Sequence, residues 1–297
     1  MREYISEKEF LDKLILEANR YDWRGLWPCI SGSGYAYDVG RMLSSNPQSS
    51  DRWKTYLKEP TMLSYDSPFF KRDVINEVGR AHQTMRVLFG NSTKRTQSRM
   101  ALFGNEDDSR LPVSFSGVRN IGENIVIALQ CPHDFSLEEW RPYVWAAQMI
   151  YVLRKIHNYK NPIIVAKHPG VKYNKRFDRE DFTTLPILLE TIENTDDVTL
   201  DEEGIGNHLD NALFSVVLSS GSAVDSVLKG VPVYAHSPDC FIYDSCFKDL
   251  SSPLWNPELI LSDLIKLSWS QWSYNELPEC VERLHKYWER NIIKISD

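Results

Sequence analysis

The stretch VVLSSGSAVDSVLKGVPVYA, residues 216–235, decides the fold. A β-branched run enters it, three serines surround one glycine, SAVDSVLKG has helical character, and VPVYA returns to strand character. Strand, turn, helix and strand in so short a span make a βαβ unit, and that connection implies neighbouring parallel strands. Gly230 stands where the helix needs a C-cap. The serine turn then lies at the carboxyl end of a strand and the start of a helix. There, free N–H groups and the positive end of the helix dipole favour an anion.

Working outward, the alternation continues upstream. NIVIALQ (124–130) reads as a buried strand, and SLEEWRPYVWAAQMIYVLRKIHN (136–158) as one long helix with Trp145, Met149, Val152 and Ile156 on one face. PIIVAKHPG (162–170) is a strand and its exit loop, DDVTLD (196–201) a strand, GIGNHLDNA (204–212) a short helix, and FSVVLSS (214–220) the strand feeding the opening stretch. VPVYAHS (231–237) closes the series, and the class is α/β. Before residue 120 the pattern is weaker: a helix near residues 7–20, strand-like RGLWPCISG (24–32) and TMLSYD (61–66), and turn-rich SSNPQSSD (44–51) and FGNEDDSR (103–110). The expected organisation is a first domain over 1–120, a Rossmann-like domain over 121–256, and a helical tail over 257–297 packing back on the first domain.

Composition narrows the class. The chain has 297 residues and 42% hydrophobic content, enough for a well-filled core. A net charge of -7 argues against a surface built mainly for nucleic acid, although STKRTQSR (92–99) and KYNKRFDR (172–179) offer local basic tracks. Five cysteines without a CxxC pair suggest reduced thiols. His236, Cys240 and Cys246 fit no standard zinc spacing, so no metal is expected. The charged start MREYISEKEF and the absence of a long apolar run point to a soluble, cytoplasmic protein.

Ligands of open parallel sheets bind beyond the carboxyl ends of the strands, so the loops there carry the chemistry. In QCPHDFS (130–136), Ser136 and Glu139 form a capping box for the long helix, which leaves Gln130 and Asp134 for a ligand or as a base. In AKHPG (166–170), Lys167 and His168 place a cation and a donor at the sheet edge. In SSGSAVD (219–225), one serine suffices to cap the helix; the rest of Ser219, Ser220 and Ser222, with Gly221, suit a phosphate. In the first half, SGSGYAYD (31–38) and YDSPFF (65–70) supply Asp38 and Asp66 as candidate bases and Tyr35, Phe69 and Phe70 as stacking groups. No GxGxxG, Walker or GxSxG pattern is present, which removes the main support for dinucleotide, P-loop and α/β-hydrolase chemistry.

On these residues the second half resembles the nucleotide-sugar domain of GT-B glycosyltransferases, and within them the bacterial capsule Kdo transferases. The resemblance lies in Gln130 with Asp134 and Ser136, in Lys167-His168-Pro169, and in Ser219 to Ser222 followed by Gly230, Pro232 and Val233. PDCFIYDS (238–245) stands where those enzymes carry a glycine- and tryptophan-containing ending. DSPFF, ALQxxxDxS, the KHP turn and SWSQWSYNEL (268–277) also resemble bacteriophage-encoded glycosyltransferases, some of which decorate hydroxymethylated pyrimidines in phage DNA. The resemblance implies a GT-B fold of two Rossmann-like domains and a metal-independent glycosyltransferase in the cytoplasm, that of the host if phage-encoded. Gln130, Ser136, Lys167, His168 and residues 219–222 would bind the nucleotide-sugar co-substrate. Asp66, Asp134 or Asp38 would be the base, and Tyr35, Phe69 and Phe70 would meet an acceptor, either modified DNA or a capsule-type glycan. A nucleotide-sugar epimerase and a noncatalytic binding protein remain the alternatives.

Overall fold

The computed structural model describes residues 5–21, 30–32, 35–38, 41–44, 63–66, 75–76, 79–82, 84–90, 95–132, 137, 140–168 and 178–291. The chain divides into two compact units, Met1–Val113 with Leu264–Asp297, and Ser114–Asp263. No helix among the described residues is long and apolar enough to cross a membrane.

The first unit opens with β1 (Ile5–Ser6), α1 (Glu7–Ala18), β2 (Ile30–Gly32), β3 (Tyr35–Asp38), β4 (Arg41–Ser44), β5 (Leu63–Asp66), β6 (Ile75–Asn76), β7 (Gly79–His82), β8 (Thr84–Gly90) and β9 (Ser98–Arg99). The second contains β10 (Asn124–Ala128), α2 (Pro142–Tyr151), β11 (Ile163–Ala166), α3 (Asp178–Glu193), β12 (Val198–Asp201), β13 (Ala212–Val217), α4 (Ser222–Leu228) and β14 (Val233–Ala235). After α5 (Pro257–Ser268) come β15 (Gln271–Ser273) and α6 (Leu277–Asn291).

The second unit is a five-stranded parallel sheet in the order β12-β11-β10-β13-β14. Its three inner strands, β11, β10 and β13, are largely apolar and buried because both faces are covered. Ile125, Ile127, Val165, Phe214 and Val216 pack with Trp145, Met149, Ile150, Leu153 and Leu188 of the helices. Val126 and Ala166 join Leu209, Ala212 and Val231 in a second cluster. GIGNHLDNA forms two 3-10 turns, Ile205–Asn207 and Leu209–Asn211, instead of one helix.

Two other expectations about the long helix fail. It begins at Pro142, with Arg141 extended at φ -103 and ψ 110. Proline suits the first helical position and disfavours helix in the residue before it, so Pro142 overrides the start expected at Ser136. The α-helix also passes into a π-helix over Val152–Ile156, and the His157 N–H reaches back to the Val152 carbonyl. The wider turn breaks the 3.6-residue stripe, and Ile156 is 64% exposed while Trp145 and Met149 are buried.

In the first unit the main sheet runs β15-β8-β5-β2-β3-β4, with β9 also on β8, and a small sheet runs β1-β7-β6. Every pairing in the main sheet is antiparallel except β2 with β5. This sheet is therefore not the parallel Rossmann-like one expected. Two residues separate β2 from β3 and two separate β3 from β4, and a link that short can only make a hairpin, since a parallel crossover needs a dozen residues or more. The core joins Phe10, Leu11 and Leu14 of α1, Val87 and Phe89 of β8, Trp272 of β15, and Leu277, Val281, Leu284 and Trp288 of α6. The α6 residues recur at helical spacing on one face. Ser273 and Glu276 form a capping box just ahead of α6, in which the Ser273 N–H donates to Glu276 Oε2 at 2.7 Å.

Candidate functional site

In the parallel sheet the chain moves outward from β10 to β11 and β12, then crosses back to place β13 on the other side of β10. This reversal makes β10/β13 the topological switch point, and the crevice beyond their carboxyl ends is where such sheets hold ligands. Gln130 follows β10 and Ser219 follows β13, and both are buried. Gln130 Oε1 accepts from the Ser219 N–H at 2.9 Å and from Ser219 Oγ at 3.2 Å. The glutamine side chain thus ties the two strand ends together across the switch point and fixes where the serine turn begins.

The serine turn is largely self-satisfied. Ser220 Oγ accepts from the Ser222 N–H at 3.2 Å and from Ser222 Oγ at 2.8 Å. The Ala223 and Val224 N–H groups bond the carbonyls of Ser220 and Gly221. Ser226 Oγ donates to the Ser222 carbonyl at 2.9 Å and accepts from Ser215 Oγ at 3.0 Å. The backbone N–H groups of Ser220 and Gly221 have no hydrogen-bond partner among the described residues. Gly221 has φ -62 and ψ -14, an ordinary helical conformation, so its place in the turn does not depend on left-handed backbone. The far end of α4 does. Gly230 has φ +76, its N–H bonds the Val227 carbonyl, and the Val231 N–H bonds the Ser226 carbonyl, a Schellman closure.

Lys167, just past β11, brings a cation to the same edge. Its side chain is 9% exposed, and Nζ lies 3.0 Å from Oε1 of Glu202, whose side chain is 53% exposed. Nζ also sits 5.9 Å from the centroid of the Tyr143 ring on α2. His168, half-buried, follows it. At the end of β12, Asp201 Oδ2 lies 2.8 Å from His208 Nε2 and accepts from the Glu203 N–H at 3.2 Å. Burial pushes the Asp201 carboxyl up, but these hydrogen bonds and the His208 charge outweigh it and hold the group below its ordinary value.

Past β14, His236 packs edge-on against Trp140 at 5.0 Å and Trp145 at 6.3 Å. Burial lowers its pKa and favours the neutral imidazole. The nearby Cys246 thiol donates to the Ile242 carbonyl, and no group of three or more His, Cys, Asp or Glu able to hold a metal occurs among the described residues.

The structure therefore gathers Gln130, Lys167, His168 and residues 219–222 beyond the carboxyl ends of β10, β11 and β13. Asp134, Ser136, Phe69, Phe70 and Pro169 lie outside the described residues, as do residues 92–94 and 172–177 of the two basic runs. At Tyr35, Asp38 and Asp66 the backbone is described. Because β2 pairs parallel with β5 and antiparallel with β3, Asp38 falls at the Ile30 and Leu63 edge of its sheet, and Asp66 at the opposite edge. Their levels differ by four residues, about 13 Å along the strands. Tyr35, opposite Gly32, shares the edge of Asp66.

No protein-family model matches the chain, and no curated protein matches it. Solved structures of two transferases do. The Thermosulfurimonas dismutans KpsC beta Kdo 2,4 transferase shares 12% identity over 94% of this chain and 96% of that chain, with a TM-score of 0.49. The beta Kdo 2,7 transferase of the same protein shares 14% identity over 76% of this chain and 77% of that chain, with a TM-score of 0.40. Neither likeness is high enough to bear on what the site does.

Three residues at the site escape the sequence reading. Glu202 is the partner of Lys167, Tyr143 its aromatic neighbour, and His208 the partner of Asp201. For Glu202 a signal exists: β11 and β12 pair with Ala166 opposite Asp201, so the next residues, Lys167 and Glu202, fall side by side.

Proposed function

We propose that the protein is a glycosyltransferase that takes a sugar from a nucleotide-sugar donor and passes it to a hydroxyl acceptor. The observation that carries this reading is a buried glutamine bonded to a fixed serine turn at the β10/β13 switch point of a parallel sheet, with a buried lysine at the end of the adjacent strand β11. That place suits a nucleotide phosphate. Lys167 and His168 would meet the negative charge that develops on the departing phosphate, and the Ser220 and Gly221 N–H groups would add neutral donors. The bond from the sugar's anomeric carbon to phosphate oxygen breaks, the bond to the acceptor oxygen forms, and the acceptor proton passes to a carboxylate.

For that carboxylate the reading favours Asp66 over Asp38, because Asp66 shares an edge of its sheet with Tyr35, the candidate acceptor contact. Asp134 remains a candidate from the donor side. A GT-B-like two-domain arrangement, with the largely antiparallel first-unit sheet in place of a second Rossmann-like one, and the absence of a metal requirement belong to the same proposal, which rests there on the sequence resemblance. The acceptor is a hydroxymethylated pyrimidine in DNA or a glycan.

The test is a mass-spectrometric panel of nucleotide sugars against hydroxymethylated DNA, unmodified DNA and oligosaccharides, with Asp66→Asn and Asp38→Asn run in parallel. The expected result is a product heavier by one sugar, lost by about 100-fold or more in Asp66→Asn and retained in Asp38→Asn. Donor turnover that yields only an epimerised sugar and free nucleotide would replace transferase with epimerase. No donor binding or turnover across the panel would refute the proposal.

A further inference from the structure

Lys167 is a buried cation, and a buried cation needs a counter-charge. Its partner is an unusual choice for a permanent structural pair. Glu202 is more than half exposed, whereas the lysine is nearly covered. Its neighbour Asp201, a second carboxylate at this strand end, is already engaged by His208 and the Glu203 N–H. Strand register delivers Glu202 to the spot, since the Lys167 N–H bonds the Asp201 carbonyl at 2.8 Å and sets the two chains level.

From this asymmetry we infer that Glu202 is an exchangeable counter-anion that occupies, in the ligand-free protein, the place on Lys167 taken by the donor's phosphate. The inference rests on the donor site proposed above and adds how that site is kept neutral when empty. Glu202 swings into water at small cost because its carboxylate is already half solvated, while Lys167 stays put against Tyr143. The exchange sets a chemical filter. An incoming group must carry negative charge and beat a carboxylate held at 3.0 Å, so a phosphate or diphosphate enters and a neutral nucleoside gains nothing from the cation. After transfer, the returning glutamate helps expel the nucleotide product.

The experiment is isothermal titration of wild type, Glu202→Gln, Glu202→Ala and Lys167→Met with inorganic pyrophosphate, UDP, CMP, uridine and cytidine. With one partner half solvated, an ion pair of ordinary strength leaves Lys167 free roughly one-sixth of the time, so removing Glu202 tightens phosphate binding by about sixfold. The gain appears in both Glu202 variants, for pyrophosphate and for whichever nucleotide binds, and not for the nucleosides. Lys167→Met loses it. If wild type binds a nucleotide and Lys167→Met does not, yet the Glu202 variants bind no tighter, the exchange is wrong and the donor site stands. If the nucleosides gain as much as the nucleotides, or if Lys167→Met binds like wild type, the exchange is also overturned. If neither wild type nor the Glu202 variants bind pyrophosphate or any nucleotide, the donor site and the exchange fall together.

Discussion

Replacing Arg154 with Met removes a clamp at the opposite end of the strands that carry Lys167 and Glu202. Arg154 lies in the π-helical turn, and its guanidinium donates to the carbonyls of Tyr159 at 2.8 Å, Asn161 at 2.7 Å, Asp196 at 3.1 Å and Asp197 at 3.2 Å. Asn161 lies two residues before β11 and Asp197 immediately before β12, and the Ile163 N–H bonds the Asp197 carbonyl. One side chain thus holds the amino ends of two strands level. The bonds to Asp196 and Asp197 are exposed, so water replaces them when the arginine is lost. Those to Tyr159 and Asn161 are part-buried, and hydrogen bonds from a charged group contribute about 1.5 kcal/mol or more each, giving a loss of about 3 kcal/mol. Burial also lowers the pKa of Arg154, so the guanidinium itself is partly desolvated and the sum is an upper figure. Arg154→Lys recovers at most half, because an ammonium cannot span four carbonyls. Urea unfolding of the full chain, with hydrogen exchange read on peptides covering 163–166 and 198–201, measures it. A stability within about 1 kcal/mol of wild type, with unchanged protection of both strands, would refute the clamp.

Two further outcomes follow from the same unit. Gly230→Ala places a Cβ 2.3 Å from the Val118 carbonyl oxygen at a φ of +76; the strained backbone and the clash together cost at least about 2 kcal/mol, read as a melting temperature lower by about 5 °C, and an unchanged melt would contradict the close approach. Asp201, whose carboxyl is held below its ordinary value, contributes stability that is present above the usual aspartate range and lost as pH falls through it. The stability gap between wild type and Asp201→Asn should therefore narrow as pH drops from about 6 to about 3, and a gap that stays constant over that range would show the His208 pair to be energetically silent.

The parallel sheet is legible because its strands are buried on both faces. Ile125 to Ile127, Ile163 to Val165 and Val216 to Val217 are unbroken apolar runs. Where the sequence misleads, a local term wins over the pattern. Pro142 starts α2 later than the capping box at Ser136 suggests, and the π turn carries Ile156 off the apolar stripe. The first unit is harder because its order depends on distant partners. Residues 79–90 hold two strands without a clean alternation, and β8 finds β15 only after the chain has passed through the whole second unit, where Trp272 pairs with Met85. The site shows the same division. Gln130, Lys167 and the serine turn stand out as polar residues at strand ends, while Glu202 becomes meaningful only once β11 and β12 are in register.

That register also changes what the serine turn offers. Read as a string, its hydroxyls are the obvious phosphate donors. In the fold, Ser219 is spent on Gln130, Ser220 and Ser222 on each other and on the first helical N–H, and Ser226 on the backbone behind them. A hydroxyl already paired inside the turn gives an anion little unless the turn is undone. The groups that can meet a phosphate without such rearrangement are the Ser220 and Gly221 N–H and the amine of Lys167, whose present partner is the half-solvated Glu202. The serines then act mainly to hold the backbone in place, and in the proposed donor site the positive charge is supplied by β11, two strands over from the turn.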